Sequence, residues 1–317
     1  MEIMVIGGSK FIGWRFVELL GQTNHNVTVV NRGNNIRDYP ANVTHYVSDR
    51  HDFEKMRAII ASNHYDAVFD MCAFVGADMQ YSSSLFGGKT DKYVFISTAA
   101  TYLEPHEMPI LDDYAQGIHS VWGGYGGGKL ECEEILLSAY EHQKFPMVIV
   151  RPSYVYGIGN TIDRETLIFD RITKNRKILV PGCGEAVIQL GEVTDLCKAL
   201  LKIAEGSKGY GECYNISGNE CVTLNGLVRM IAEILGKPYH TVLINPKDYG
   251  MTDRDVFPFE NVSYFTDCQK FSKDFAWKPL VSLKDGLTVA YEAWLNSSVR
   301  ISTNYHNEDL VLAKIAN

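Results

Sequence analysis

The sequence predicts an α/β protein, a doubly wound parallel sheet followed by a smaller C-terminal α/β lobe. Three observations predict it. Short apolar runs alternate with helical periodicity up to about residue 150, several of those runs end in small or polar residues, and a glycine-rich turn joins the first run to the first helical stretch. Past residue 155 the alternation loosens, as expected for a second lobe.

Residues 3–6 are the first strand, and Gly7-Gly8-Ser9-Lys10-Phe11-Ile12-Gly13 leads from it into helical spacing over 14–20. A strand, a glycine turn and a helix in that order aim backbone N–H groups and a helix N-terminus at a pyrophosphate. Gly7, Ser9, Lys10, Phe11, Ile12 and Gly13 are therefore read as cofactor-binding. Residues 27–30 form the second strand, ending in Asn31-Arg32-Gly33. An acid there would accept from the adenosine ribose hydroxyls and favour NAD, whereas an arginine suits the extra phosphate of NADP. Asn31 and Arg32 thus lean the choice between NAD and NADP slightly towards NADP.

Residues 43–47 are a third strand leading to Asp49-Arg50, and 53–61 a helix. Residues 65–70 are the fourth strand, reaching Cys72 and Ala73, small enough to lie against a cofactor; 92–96 are the fifth, ending in Ser97-Thr98. Residues 145–150 are the sixth, closed by Arg151-Pro152. Such a sheet carries its site at the carboxyl edge, where the Thr98 hydroxyl would sit. The expected division is a dinucleotide-binding domain over 1–155, rejoined by segments near 187–218, and a substrate lobe with a tail over 156–317. Within the latter, helices are expected at 166–174, 193–204 and 223–235, the last stopped by Gly236, with short strands at 178–182 and 214–216. After Trp294 the chain is polar except for an apolar cluster at 310–315, which fits either a docked helix or a loose tail.

The chemistry is expected around Tyr125-Gly126-Gly127-Gly128-Lys129, ahead of an amphipathic run over 130–140. In a helix, side chains four residues apart share a face. A phenol is a poor base at neutral pH, but a fixed ammonium nearby favours its phenolate, which can then take a hydroxyl proton. The three intervening glycines each cost a helix roughly 1 kcal/mol, so the first turn is expected to be loose until a ligand orders it.

The net charge of −8 argues against a nucleic-acid or anionic-membrane partner. Seven scattered cysteines without a C-x-x-C pair read as free thiols in a reducing compartment, and with no basic leader or membrane-length apolar run the expected location is cytoplasmic. The nine histidines include no H-E-x-x-H and no Cys/His cluster, so no metal is expected.

These motifs, with Gly191–Asp195, Tyr214–Gly218 and Phe275–Pro279, resemble the extended short-chain dehydrogenase/reductase superfamily in its NAD-dependent epimerase/dehydratase branch, over roughly residues 1–295. The resemblance implies a Rossmann-type fold and a catalytic group of Tyr125 as acid/base, Lys129 as its pKa-lowering partner that also holds the nicotinamide ribose, and Thr98 bonded to the reacting oxygen. It implies cofactor contacts from Asp49, Arg50, Cys72 and Ala73, substrate contacts from Thr98, Tyr154 and Gln189, and a homodimer through the helix containing Lys129. Lys10 stands where the superfamily's middle glycine is usual. This turn, with Val256–Phe259, is similar to a subgroup that includes chloroplast stem-loop binding proteins. Tyr154 and Glu185 replace an Asn and an Arg that hold a substrate pyrophosphate in sugar-nucleotide epimerases, and Ala99-Ala100 replaces the acidic pair of hexose-nucleotide dehydratases. The expected activity is a nicotinamide-dependent oxidoreductase or epimerase acting on a small-molecule sugar or sugar-like substrate. The alternatives are an RNA-binding protein on this fold or a non-catalytic NADP-sensing regulator.

Overall fold

The computed structural model describes residues 1–61, 63–297 and 304–316. The chain forms two compact units, each assembled from three stretches. The first takes Met1–Val155, Val193–Ser217 and Thr266–Leu280; the second takes Tyr156–Glu192, Gly218–Phe265 and Val281–Asn317.

In the first unit, strands β1 (Glu2–Ile6), β2 (Asn26–Asn31), β3 (Val43–Val47), β4 (Ala67–Asp70), β5 (Tyr93–Ile96) and β6 (Met147–Pro152) join the later strand Glu212–Ile216 in one seven-stranded sheet. Its order is Glu212–Ile216, β6, β5, β4, β1, β2, β3, and every pairing is parallel. Both faces are covered, which is why the inner strands read as continuous apolar runs. Ile3 and Val5 point to the face packed by helix α1 (Phe11–Leu20) and helix Val193–Glu205, through Phe16, Val17, Leu196 and Leu200. Met4 and Ile6 point to the other face, covered by α2 (Phe53–Ile60), α3 (Gly76–Phe86) and α4 (Gly123–Gln143) through Met56, Met79, Phe86 and Leu136. The order reverses between β1 and β4, so the crevice of an open α/β sheet lies past their carboxyl ends.

Helix α3 was not expected from the sequence. Its buried side includes Asp78 and Ser82 beside Met79 and Phe86, so an apolar period never shows. Helix α4 begins at Gly123 and runs through the glycines. A Cβ on Gly126 would stand 2.2 Å from the Ala100 carbonyl oxygen, and one on Gly128 would stand 2.3 Å from that of Phe74. Two of the three glycines thus let the helix backbone close on neighbouring loops.

In the second unit, strand Lys177–Pro181 pairs in parallel with His240–Ile244, and Val187–Glu192 pairs antiparallel with Cys221–Thr223. Helix Leu224–Leu235 starts on a Thr223 side-chain cap and stops at Gly236, which has a left-handed backbone. The apolar cluster near the C-terminus lies in a docked helix, His306–Ala316, whose Val311 packs with Leu179, Ile244 and Val256. Arg171, almost fully buried, bonds Glu308 at 2.6 and 2.9 Å, and the ring of Tyr305 takes the guanidinium groups of Arg171 and Arg176 at 4.7 and 3.9 Å.

Candidate active and cofactor site

The glycine turn leaves β1 through Gly7, whose φ of +95° is open to glycine and whose N–H donates to Val30 O at 2.9 Å. A Cβ on Gly7 would meet Cys72 Sγ at 3.0 Å, and one on Gly13 would meet Gly7 O at 2.9 Å, so the turn, β4 and α1 are drawn together. Ser9 N donates to Gly7 O at 2.8 Å. Lys10 caps α1 with an extended backbone, φ −134°, which any residue adopts; no glycine is needed there. The left-handed step falls on Phe11, φ +34°, and Ile12 follows it at the head of the helix.

Asn31, at the end of β2, is committed internally. Its Nδ2 donates to Tyr39 at 2.9 Å, and its Oδ1 accepts from Gly33 N at 2.9 Å and faces His45 Nε2 at 3.2 Å. Arg32 is exposed. The loop beyond it folds back on the glycine turn: Arg37 Nε donates to Ser9 O at 3.1 Å while its guanidinium lies 4.8 Å over the Trp14 ring. Exposed Lys10 follows Ser9 directly in the chain, so Lys10 and Arg37 both lie at the glycine turn. Arg37 was missed from sequence, because a lone arginine in a polar loop carries no periodic or motif signal.

Arg50 is also committed. It makes a double bond-pair with Asp70 at 2.8 and 2.9 Å and bonds Ser82 Oγ at 2.8 Å, all buried. Burial alone would raise the Asp70 pKa, but the Arg50 charge and its hydrogen bonds hold it below the ordinary value. Asp70 Oδ1 in turn accepts from Cys72 N and Ala73 N, both at 3.0 Å, and so shapes the loop after β4. Burial pushes the Cys72 thiol up to about 11. Asp49 receives His51 N at 3.0 Å.

Tyr125 and Lys129 occupy the first two turns of α4. Tyr125 is 53% exposed, whereas Lys129 is 2% exposed and donates from Nζ to Ile96 O at 2.7 Å, between the rings of Phe74 and Phe95. Burial lowers the Lys129 pKa to about 8, although the nearby Asp70 charge acts the other way. Gly126 seats the turn of Tyr125 on the short 3-10 turn Ala99–Thr101, which Thr98 caps by accepting Ala100 N at 3.2 Å. The Thr98 hydroxyl thereby keeps its proton to donate.

Beneath this surface lies a buried polar network. Glu133, one turn past Lys129, accepts from Ser97 Oγ, from Gln116 Nε2 at 2.7 Å and from Arg151. Arg151 reaches Tyr102, which bonds Asn215. The network ties the residue before Thr98, the loop over 102–120 and the ends of two strands to α4. Glu133 went unread in the sequence because it falls inside an amphipathic run as one more helical acid. Tyr154 is partly buried, its ring 6.5 Å from that of Trp122. Gln189 belongs to the second unit, where its Nε2 donates to Gly218 O at 2.8 Å.

Among the described residues no cluster of His, Cys, Asp or Glu could hold a metal ion, and no helix is long and apolar enough to cross a membrane.

Comparison with known proteins gives matches over most of the chain. Residues 3–86 and 82–217 match the NAD dependent epimerase/dehydratase family. The Arabidopsis thaliana chloroplast stem-loop binding protein of 41 kDa b is 28% identical over 99% of this chain and 84% of its own. Human dTDP-D-glucose 4,6-dehydratase is 22% identical over 96% and 91%. Among solved structures, the dTDP-glucose 4,6-dehydratase of Bacillus anthracis in complex with NAD superposes with a TM-score of 0.79 at 22% identity, covering 94% of this chain and 97% of that one. The UDP-glucose 4-epimerase of Thermotoga maritima superposes at 0.77 and 24% identity, covering 93% and 99%.

Proposed function

The chain belongs to the NAD dependent epimerase/dehydratase family, and from that membership we propose that it is a nicotinamide-dinucleotide-dependent oxidoreductase or epimerase acting on a hydroxyl or keto group of a sugar or sugar-like small molecule. The observation that carries the reading is the state of Lys129: a buried ammonium fixed on Ile96 O, one helical turn from an exposed Tyr125 in a helix whose Gly126 closes on the turn after Thr98.

The residues present fit a dinucleotide. Gly7 and Gly13 let the turn close on Cys72 and on itself, which presents Ser9, Lys10, Phe11 and Ile12 at the helix N-terminus for the pyrophosphate. Cys72 and Ala73 give small surfaces after β4, Lys129 holds the nicotinamide ribose, and Lys10, Arg32 and Arg37 take the adenosine end. Asp49 is assigned a further cofactor contact. Arg50 acts through Asp70 as a positioning residue for the loop at Cys72. Asn31 is no acid and is committed internally, so a ribose 2′-phosphate is favoured over a bare 2′-hydroxyl, and NADP over NAD. Bound nicotinamide supplies hydride exchange with a carbinol or carbonyl carbon. Tyr125 moves the proton at the substrate oxygen, Thr98 donates a hydrogen bond to that oxygen, and Lys129 keeps positive charge near the phenol. The second unit serves as the substrate lobe, and Tyr154 and Gln189 contribute to substrate contact.

The test is to identify any dinucleotide that copurifies, then to titrate NAD and NADP against wild type, Arg32→Ala and Arg37→Ala. The expected result is tight binding with an NADP preference that falls about tenfold in each variant, and a Tyr125→Phe protein that binds cofactor but turns over no substrate. If neither dinucleotide binds at micromolar concentration, the proposal is wrong. A second reading, binding of structured RNA, draws on the likeness to the Arabidopsis stem-loop binding protein. With a net charge of −8 it would require saturable, salt-dependent retention of a stem-loop RNA by protein free of cofactor.

A further inference from the structure

We infer that Asp78 is a positioning residue for Lys129: with Asp70 it holds the backbone of residues 72–75 as a fixed wall beside the ammonium proposed to meet the nicotinamide ribose. The inference rests on that proposed role of Lys129 and adds what keeps the ammonium in place.

The loop from β4 to α3 hangs on carboxylates. Asp70 Oδ1 accepts from Cys72 N and Ala73 N, both at 3.0 Å. Asp78, in the first turn of α3, reaches back, and its Oδ2 accepts from Phe74 N at 2.8 Å and Val75 N at 3.3 Å. Gly76 N, next in line, donates to Glu131 Oε2 of α4 at 3.2 Å. Five consecutive N–H groups are thus taken by three acids. Asp70 and Asp78 are in turn clamped by one guanidinium. Arg50 bonds both oxygens of Asp70 at 2.8 and 2.9 Å, donates to the Asp78 backbone oxygen at 3.3 Å and has its Nε 3.8 Å from Asp78 Oδ1. Burial alone would raise the Asp78 pKa, but the Phe74 N–H, His51 and Arg50 hold it below the ordinary value. Both acids are buried, so the loop cannot shift without leaving a buried donor or carboxylate unpaired.

The wall bears on Lys129 directly. The Phe74 ring lies 4.7 Å from Lys129 Nζ, and a Cβ on Gly128 would stand 2.3 Å from Phe74 O. At the other end of the wall Cys72 backs the glycine turn, where a Cβ on Gly7 would meet its Sγ at 3.0 Å. The same few residues therefore touch both the turn read as the pyrophosphate site and the ammonium. Together with Ile96 O and the Phe95 ring, Phe74 determines where Nζ sits. On a flexible four-carbon stem, an ammonium keeps one position only while its walls keep theirs.

The experiment uses the full-length protein. Calorimetry measures NAD and NADP against ADP and 2′-phospho-ADP, the fragments that keep the adenosine and the diphosphate and lack the nicotinamide ribose. Asp78→Ala should weaken the bound dinucleotide about tenfold and its fragment by less than about twofold. Lys129→Met should weaken the dinucleotide as well, and adding Asp78→Ala to it should cost little more, because the ammonium that the wall positions is already gone. Asp78→Ser, a small polar replacement suited to a helix's first turn, is the second variant and should give the same pattern. Equal weakening of dinucleotide and fragment overturns the inference, as does a loss on Asp78→Ala that is the same with and without Lys129. Affinities that Asp78→Ala leaves unchanged overturn it too. If Lys129→Met binds the dinucleotide as wild type does, or wild type binds none, the proposed role of Lys129 is what has failed, and the inference falls with it.

Discussion

Lys129 is where a single residue's environment can be tested most directly. Burial takes its pKa from the ordinary 10.5 to about 8. The unfolded chain therefore binds more protons than the folded one between those values, and the Lys129 contribution to stability rises with pH across that window. A shift of that size corresponds to about 3 kcal/mol. Denaturant unfolding at pH 8 and pH 10.5 should show wild type gaining about that much relative to Lys129→Met; equal pH dependence of the two proteins would mean the ammonium is not desolvated. The spacing of Tyr125 and Lys129 was legible because helical geometry converts four residues into one face. The commitments of Arg50 and Asn31 were not, because their partners Asp70, Ser82, Tyr39 and His45 lie 8 to 32 residues away and no local pattern joins them.

At the scale of elements, α4 shows what a glycine count conceals. The glycines look like helix breakers in sequence, yet Gly126 and Gly128 are where the helix backbone touches carbonyl oxygens of Ala100 and Phe74, while Gly124 faces open space. Gly124→Ala should therefore be neutral or stabilise by up to about 1 kcal/mol, and Gly126→Ala and Gly128→Ala should each destabilise by about 1–3 kcal/mol, read from thermal or denaturant unfolding. If the three alanines behave alike, close approach is not the reason for the glycines. The strands were legible because a sheet covered on both faces leaves unbroken apolar runs; α3 was not, because its buried face holds Asp78 and Ser82 in the Arg50 cluster. The C-terminal helix hangs on a buried pair, Arg171 with Glu308. Arg171→Met should cost about 3–5 kcal/mol, and Arg171→Met with Glu308→Leu should recover most of it, since the first change strands a carboxylate and the second removes it.

For the whole molecule, the decisive feature is that neither unit is continuous in the chain. The strand beside β6 is Glu212–Ile216, and the helix Val193–Glu205 covers one face of the sheet, so a fragment of residues 1–155 has an unpaired edge and an uncovered apolar surface. That fragment should aggregate or lack cooperative unfolding, whereas the full chain should be well behaved; a soluble, cooperatively folded fragment would contradict this. The loosened rhythm past residue 155 was visible in the sequence, but which later segments belong to which unit depends on pairings between distant strands. The same discontinuity sets a timetable for synthesis. Glu212, where the partner of β6 starts, is the sixtieth residue after the end of β6 at Pro152, and at about 5–20 residues per second the ribosome needs about 3–12 seconds to deliver it. For that interval every nascent chain carries a bare strand edge, and early termination makes it permanent, so the protein's yield in a cell should depend on chaperone capture of the chain between those two points.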